Sequence, residues 1–168
     1  MEKNKKVKKI VLSGIFIAIS TVLGTFSIPV FGGKMSPIQH FINVVCAVVL
    51  GPLYAVLCAF VTSVLRNMFG TGSLLAFPGS MIGALLAGLL YKKFKRVELA
   101  LVGEIIGTGI IGALVAFPIA AFMLGKEVAL FTYIVPFSIS CIGGAIIAYI
   151  FLKVPVIKKL LIEEKGDL

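Results

Sequence analysis

Long apolar runs follow one another along most of the chain, and this pattern constrains its fold more than any other feature. Hydrophobic residues make up 60% of the sequence, and charged residues make up only 14%. A helix crosses the hydrocarbon layer of a bilayer with about 20 apolar residues, and a soluble domain has no need of so much apolar surface. The sequence therefore predicts an all-α integral membrane protein.

The runs predict a compact bundle of six transmembrane helices, which forms a single transmembrane domain over residues 1–168. The helices are expected at approximately residues 9–26, 38–50, 53–69, 74–91, 97–124 and 129–152. Between the first two runs, residues 28–37 carry prolines and glycines and are expected to form a loop.

Basic residues are concentrated at three places: before the first run, between the fourth and the fifth, and after the sixth. These clusters hold 13 of the 16 lysines and arginines: Lys3, Lys5, Lys6, Lys8, Lys9, Lys92, Lys93, Lys95, Arg96, Lys153, Lys158, Lys159 and Lys165. Because cytoplasmic segments are enriched in lysine and arginine, we expect both termini to be cytoplasmic. The net charge of +9 then reflects topology and contacts with membrane lipid, and not binding of nucleic acid.

The first run carries small or short side chains every four residues, at Gly14, Ala18 and Val22. Such residues share one helix face and let two membrane helices approach closely. The face either packs inside the bundle or docks on another membrane protein, and the pattern leaves both open. Lysines before an apolar run also occur in signal peptides, but this run is long and no clear cleavage site follows. We therefore expect a retained helix.

Residues 62–91 form the most informative corner of the chain. The third run ends in Arg66 and Asn67, a glycine-containing loop follows, and the fourth run begins. Small residues recur every four positions from Gly79 to Ala87, which predicts the close approach of another helix. Polar groups at a corner between closely packed helices predict a ligand site.

Further polar residues fall in the same, outer half of the predicted bundle. An ionisable residue within a membrane segment is a candidate functional residue, and a mostly apolar pocket with a few polar groups suits a small, partly aromatic solute. The predicted substrate-binding residues are His40, Asn43, Arg66, Asn67, Ser80 and Tyr133.

Each of these residues also has a structural interpretation. Arg66 could extend to the outer headgroups, Asn67 could cap its helix, His40 could bond to backbone, and Tyr133 could belong to the interfacial aromatic belt. Glu104, inside the fifth run, is compatible with proton coupling, with a basic partner on another helix, or with a contact to another subunit.

The sequence contains no catalytic motif, no loop for ATP and no metal-ligand spacing. Cys46, Cys58 and Cys141 are dispersed among apolar residues and are interpreted as small core or lipid-facing residues. We therefore expect a non-enzymatic protein without a metal or cofactor. Energy for uphill transport would come from an ion gradient or from a partner.

The block from Leu65 to Gly88, with Arg66-Asn67 and Phe77-Pro78-Gly79-Ser80, resembles the ThiW family, and the first-helix pattern resembles that of other S components of energy-coupling factor vitamin transporters. The ThiW family is the S component predicted to import the thiazole precursor of thiamin. The resemblance implies a subunit of the bacterial cytoplasmic membrane that captures hydroxyethylthiazole on its outer face, under a lid formed by loops one, three and five.

The resemblance also implies a partner. The S component would dock through Gly14, Ala18 and Val22 on a transmembrane coupling protein that carries two cytoplasmic ATPases. ATP-driven rearrangement would then tip it in the membrane and release the solute inside.

Two features qualify the expected ligand. The chain has no tryptophan, so stacking on a thiazole ring would fall to Phe31, Phe77, Phe117 or Tyr133. A neutral alcohol does not need Arg66, unless the guanidinium is paired within the protein or a phosphorylated form binds.

Two other functions compete with this one. The first is a small oligomeric proton-coupled transporter that uses Glu104 as its coupling residue. The second is a non-transporting membrane assembly factor, for which only the small-residue faces would matter.

Overall fold

The computed structural model describes residues 2–30 and 33–161. These residues contain seven helices and a short β-hairpin, joined by loops. The helices are α1 (Glu2–Leu23), α2 (Pro37–Val49), α3 (Pro52–Met68), α4 (Ala76–Phe94), α5 (Val97–Met123), α6 (Ile134–Lys153) and α7 (Pro155–Leu161). The predicted helical fold is confirmed.

The hairpin consists of β1 (Ile28–Val30) and β2 (Gly33–Met35), which pair antiparallel with Ile28 opposite Met35. The sequence predicted a loop here, and that prediction is wrong for these two strands. The ladder gives hydrogen-bond partners to backbone groups that would lack them in an irregular segment between apolar helices.

The largest differences between the predicted and the observed first residues occur in two helices. α1 begins at Glu2, well before the apolar run, because the lysines that precede the run are themselves good helix formers. α6 begins at Ile134 because residues 130–133 form turns instead of continuing the helix towards the loop. This places Tyr133 at the N-terminal end of α6.

Two of the described helices, α5 and α6, are long and apolar enough to cross a membrane, judged by length and composition alone. α2 and α3 are apolar but contain only 13 and 17 residues. Large apolar side chains are exposed around the bundle, among them Ile10, Leu53 and Ile150. Exposed apolar surface of this extent is suited to contact with lipid. The six-span count and the cytoplasmic placement of both ends stay predictions.

α2 and α4 lie at the centre of the bundle. α4 packs against α2, α3 and α5, and α2 also contacts α1 and α6. Every residue from 42 to 49 in α2 is buried. Polar side chains on these two helices are therefore held inside the protein, where each needs a hydrogen-bond partner.

α4 and α5 approach each other closely through glycine and alanine. A Cβ atom on Gly107 would lie 2.7 Å from the Gly83 Cα, and one on Gly103 would lie 2.7 Å from the Ala87 amide nitrogen. The prediction that small residues from Gly79 to Ala87 admit another helix is confirmed, and α5 is that helix.

α5 contains two π-helical segments, Gly107–Gly112 and Ile119–Met123. The second follows Pro118, which has no backbone N–H to donate. Such segments widen a helix locally and often occur at functional sites. The first one carries Thr108, which reaches the buried polar cluster described below.

Candidate solute-binding site

A cavity of about 190 Å³ lies among the first turns of α2, α4 and α6, the last turn of α3 and the middle of α5. It is smaller than the roughly 300 Å³ at which pockets for drug-sized ligands begin, so it suits a small solute. Apolar groups such as Leu75, Ala76 and Phe137 line it beside polar ones. Four of the six predicted substrate-binding residues contribute to its wall: His40, Arg66, Ser80 and Tyr133.

Arg66 is buried in this wall, with only 4% of its surface exposed. Its Nη1 donates to the Gln39 side-chain oxygen, and its Nη2 donates to the Gly24 carbonyl oxygen at 2.6 Å and to the Thr71 carbonyl oxygen at 3.4 Å. Its Nε is buried without a hydrogen-bond partner. Arg66 therefore does not extend to the headgroups, and the structure places its guanidinium inside the protein.

Glu104 is completely buried at the inner side of the cavity wall. Its Oε1 accepts hydrogen bonds from Asn43 Nδ2 at 3.2 Å and Thr108 Oγ1 at 3.1 Å, and it lies 2.8 Å from His40 Nδ1. Of the three interpretations of Glu104, the partner on another helix is confirmed, and burial excludes a contact with another subunit.

Gly83 makes room for the Glu104 carboxyl group. A Cβ atom at this position would lie 2.6 Å from the Glu104 Oε2 and would also collide with the Thr108 hydroxyl oxygen. Oε2 is buried and has no hydrogen-bond partner. The close contact between α4 and α5 thus admits the carboxyl group without supplying a donor to its second oxygen.

The two predicted asparagines do not line the cavity. Asn43 lies beneath it, where its Nδ2 donates to Glu104 and, at 3.2 Å, to a carbonyl oxygen of α4. Asn67 donates to the carbonyl oxygens of Ser63 at 2.8 Å and Ser73 at 3.3 Å. Asn43 therefore orients the buried carboxylate, and Asn67 holds the loop after α3 against its helix.

The sequence missed several residues of the cavity wall. Gln39 is 3% exposed, and its side-chain oxygen accepts a hydrogen bond from Arg66. Its position beside His40 in a mostly apolar helix could have identified it as a residue of the site. Phe137 lies one turn after Tyr133, with ring centroids 5.9 Å apart, and both rings line the cavity. The other residues of the wall that were not among the predicted ones are Ser36, Thr71, Gly72, Ser73, Leu75, Ala76, Gly79, Thr108, Lys126 and Ser140.

Of the four aromatic residues expected to stack on a ring, Tyr133 alone lines the cavity within the described residues. Phe77 packs against Phe60 with ring centroids 5.9 Å apart, and Phe117 is absent from the wall. Phe31 lies outside the described residues. The aromatic side of the cavity is therefore formed by α6 through Tyr133 and Phe137.

The small-residue face of α1 is exposed along its whole length. Gly14, Ala18 and Val22 are all exposed, and a Cβ atom on Gly14 would have no neighbour within 4 Å. α1 packs on the bundle through its opposite side, which includes Phe16 and Ser20. Of the two interpretations of this face, packing inside the bundle is wrong.

A helical bundle with an apolar outer surface and a small internal cavity is typical of membrane proteins that bind a small solute. The chain belongs to the ThiW family, the thiamine-precursor transporter proteins, whose family model matches residues 10–158. It is also similar to a UPF0397 protein of Streptococcus sanguinis (strain SK36), with 30% identity over 99 residues, which are 57% of this chain and 54% of that protein. The chain thus spans about half the length of this curated relative, and no solved structure matches it.

Family membership bears on the classes of function that the sequence left open. A transporter family is not a family of enzymes, and it disfavours a membrane assembly factor without transport.

Proposed function

We propose that this protein is the substrate-capturing S component of an energy-coupling factor importer in the bacterial cytoplasmic membrane. It takes a thiamin precursor of the hydroxyethylthiazole type from the outer face and passes it inward when partner ATPases act. The observation that carries this proposal is the small cavity in which His40, Arg66, Ser80 and Tyr133 meet.

The cavity has the two sides that a substituted thiazole needs. Tyr133 and Phe137 present aromatic surface on which a flat heteroaromatic ring can stack. His40 and Ser80 lie in the same wall and offer hydrogen-bonding groups for a ring nitrogen or a hydroxyl. A few polar groups in an otherwise apolar cavity fix the orientation of a ligand and provide its specificity.

Three connecting segments close the cavity and support the proposed lid. Ser36 follows the hairpin, Thr71 and Ser73 lie in the loop between α3 and α4, and Lys126 lies in the loop between α5 and α6. These are loops one, three and five of the proposed six-span arrangement. We propose that their movement opens the cavity towards the outside.

The distribution of charge in space supports cytoplasmic ends. Lys9, Lys92 and Lys95 line one cleft at the end of the bundle away from the cavity. Near the ends of two further helices, Lys153 Nζ lies 3.0 Å from Glu98 Oε1. Under the rule that cytoplasmic segments are basic, that end faces the cytoplasm and the cavity faces outward.

The exposed face of Gly14, Ala18 and Val22 is the proposed docking surface for the transmembrane coupling protein. Small residues on a lipid-facing helix allow a second helix to approach closely, and van der Waals contact then drives association. The coupling protein would carry two cytoplasmic ATPases, which supply the energy for release of the solute.

The experiment that tests capture is calorimetry of hydroxyethylthiazole and other thiamin precursors against the purified protein without partners. We expect saturable one-to-one binding that Phe137→Ala weakens, because the ring loses a stacking surface. Phe94→Ala removes an exposed ring at the opposite end of α4 and serves as the matched control. If no precursor binds the folded wild-type protein, the capture role is wrong.

The alternative is a small oligomeric proton-coupled transporter, and the buried His40–Glu104 pair is the observation that favours it. In that case proteoliposomes that contain this chain alone would accumulate the precursor when a proton gradient is imposed. Glu104→Gln would abolish that uptake. Uptake that requires the coupling protein and ATP would exclude the alternative.

A further inference from the structure

Arg66 is a buried cation that has no anionic partner in the part of the chain that the structure describes. Its hydrogen bonds go to one amide oxygen and two carbonyl oxygens, and within the described residues no carboxylate lies within ion-pair distance of it. These bonds do not use all the N–H groups of a guanidinium, and the buried Nε has no partner at all. A buried charge is costly unless an opposite charge accompanies it.

The other charges around the cavity do not compensate Arg66. Lys126 is a second cation in the wall, and the described residues of the wall include no aspartate or glutamate. Glu104 lies behind the wall, where its carboxyl group is engaged by His40, Asn43 and Thr108. Among the described residues of the wall, the lysine and arginine side chains are therefore not matched by a carboxylate.

The helices add to this positive potential. The first turns of α2, α4 and α6 all contribute to the cavity wall, through Gln39, Ala76 and Tyr133 among others. The N-terminal end of a helix carries a partial positive charge, and membrane transporters direct such ends at anionic groups of their substrates. Three helix ends and a buried guanidinium thus favour negative charge at the same place.

We infer that the cavity recognises an oxyanion on its ligand, a phosphate monoester or a carboxylate, so that the thiamin precursor binds best in an anionic form. This inference rests on the proposed function and specifies its substrate class. Arg66 is suited to the role because its planar guanidinium makes charge-assisted hydrogen bonds to such groups. Gln39 and the Gly24 carbonyl oxygen hold it in place before the ligand arrives.

The test compares four probes on the purified protein: hydroxyethylthiazole, its phosphate monoester, the analogue in which the alcohol is oxidised to a carboxylate, and inorganic phosphate. Hydrogen bonds to a charged group give an expected preference of about tenfold to a hundredfold for at least one anionic thiazole over the alcohol. Inorganic phosphate is expected to compete with that probe only weakly, because it has no ring to stack on Tyr133 and Phe137.

Arg66→Gln should weaken binding of the anionic thiazoles more than binding of the alcohol, so that the preference is lost. Arg96→Gln, on an exposed loop, is the matched control and should change neither affinity. Because Arg66 also holds three segments together, the glutamine variant could fail to fold. Lys126→Gln, in an exposed loop, is the second variant and should reduce the preference without affecting folding.

The outcomes separate the inference from the proposed function. If the alcohol binds as tightly as both anions, or if the preference survives in folded Arg66→Gln, the inference is wrong and the capture role stands. If no thiazole binds, both the inference and the proposed function are wrong. Nanodiscs test whether a lipid headgroup is the source of the oxyanion. If the preference for an anionic thiazole is seen in phosphatidylcholine nanodiscs but lost in phosphatidylglycerol nanodiscs, the site binds the lipid headgroup and the inference is wrong.

Discussion

Gly83 is the residue on which the contact between α4 and the Glu104 carboxyl group depends. We predict that Gly83→Ala lowers the free energy of unfolding by about 1–3 kcal/mol, because the new methyl group must displace packed neighbours. Thermal unfolding in detergent, followed by circular dichroism because the chain has no tryptophan, measures this. Gly14→Ala adds the same methyl group in open space and should leave the midpoint unchanged or slightly raise it.

Replacement of Glu104 by glutamine should cost less stability than replacement by leucine. Glu104→Gln keeps an acceptor for His40, Asn43 and Thr108, whereas Glu104→Leu leaves these buried donors unsatisfied. We expect the leucine variant to lose about 3 kcal/mol of stability and the glutamine variant less than half of that. The exposed pair of Glu98 and Lys153 provides the control, since Glu98→Gln should cost under about 1 kcal/mol. Equal losses for both Glu104 variants would contradict this account.

The sequence located part of the cavity wall where a polar side chain interrupts an apolar helix, since His40 and Arg66 line the cavity whereas Asn43 and Asn67 do not. Arg66 and His40 were found in this way, because a membrane segment retains such residues only for a reason. The sequence could not show that Glu104 bonds to His40, since 64 positions separate them and only the packing of α2 against α5 brings them together. Phe137 was missed because one more phenylalanine in an apolar helix carries no signal of its own.

At the level of elements, the exposed face of α1 gives a test of docking that leaves capture untouched. We predict that Ala18→Leu reduces precursor uptake by cells that contain the coupling protein at least about tenfold, because a bulky side chain prevents close approach of helices. Binding to the purified chain should not change, because the face lies outside the cavity. Val115→Leu enlarges an exposed residue on α5 and should affect neither. A loss of binding in Ala18→Leu would contradict a pure docking role.

Helices were easier to predict from the sequence than what connects them or distorts them. Apolar runs identify helices because backbone N–H and C=O groups in lipid must hydrogen-bond to one another, and a helix achieves this within a single segment. The hairpin was missed because prolines and glycines between two runs are typical of any turn, and its pairing depends on where the ends of α1 and α2 lie. The π-helical segments of α5 were also missed, since only the contact with α4 and the presence of Pro118 favour them.

For the whole molecule, the proposed orientation predicts opposite accessibility of the two ends. In intact cells, a cysteine introduced by Lys126→Cys should react with a membrane-impermeant maleimide, and one introduced by Lys93→Cys should react only after lysis. The natural cysteines at positions 46, 58 and 141 are buried, so the background should be low. Labelling of Lys93→Cys in intact cells would reverse the topology.

The shortness of α2 has a consequence for the ligand itself. Its 13 residues span about 20 Å, whereas the hydrocarbon layer is about 30 Å thick. In the proposed membrane arrangement, the hairpin and the loops lie at that end beside the cavity, and a bound solute would add contacts there. Ligand binding and folding are then thermodynamically linked, and a correct ligand at a hundred times its Kd should raise the free energy of unfolding by about 2.7 kcal/mol. The heat stability of the purified chain thus becomes a way to search for its solute, compound by compound, with no transport assay.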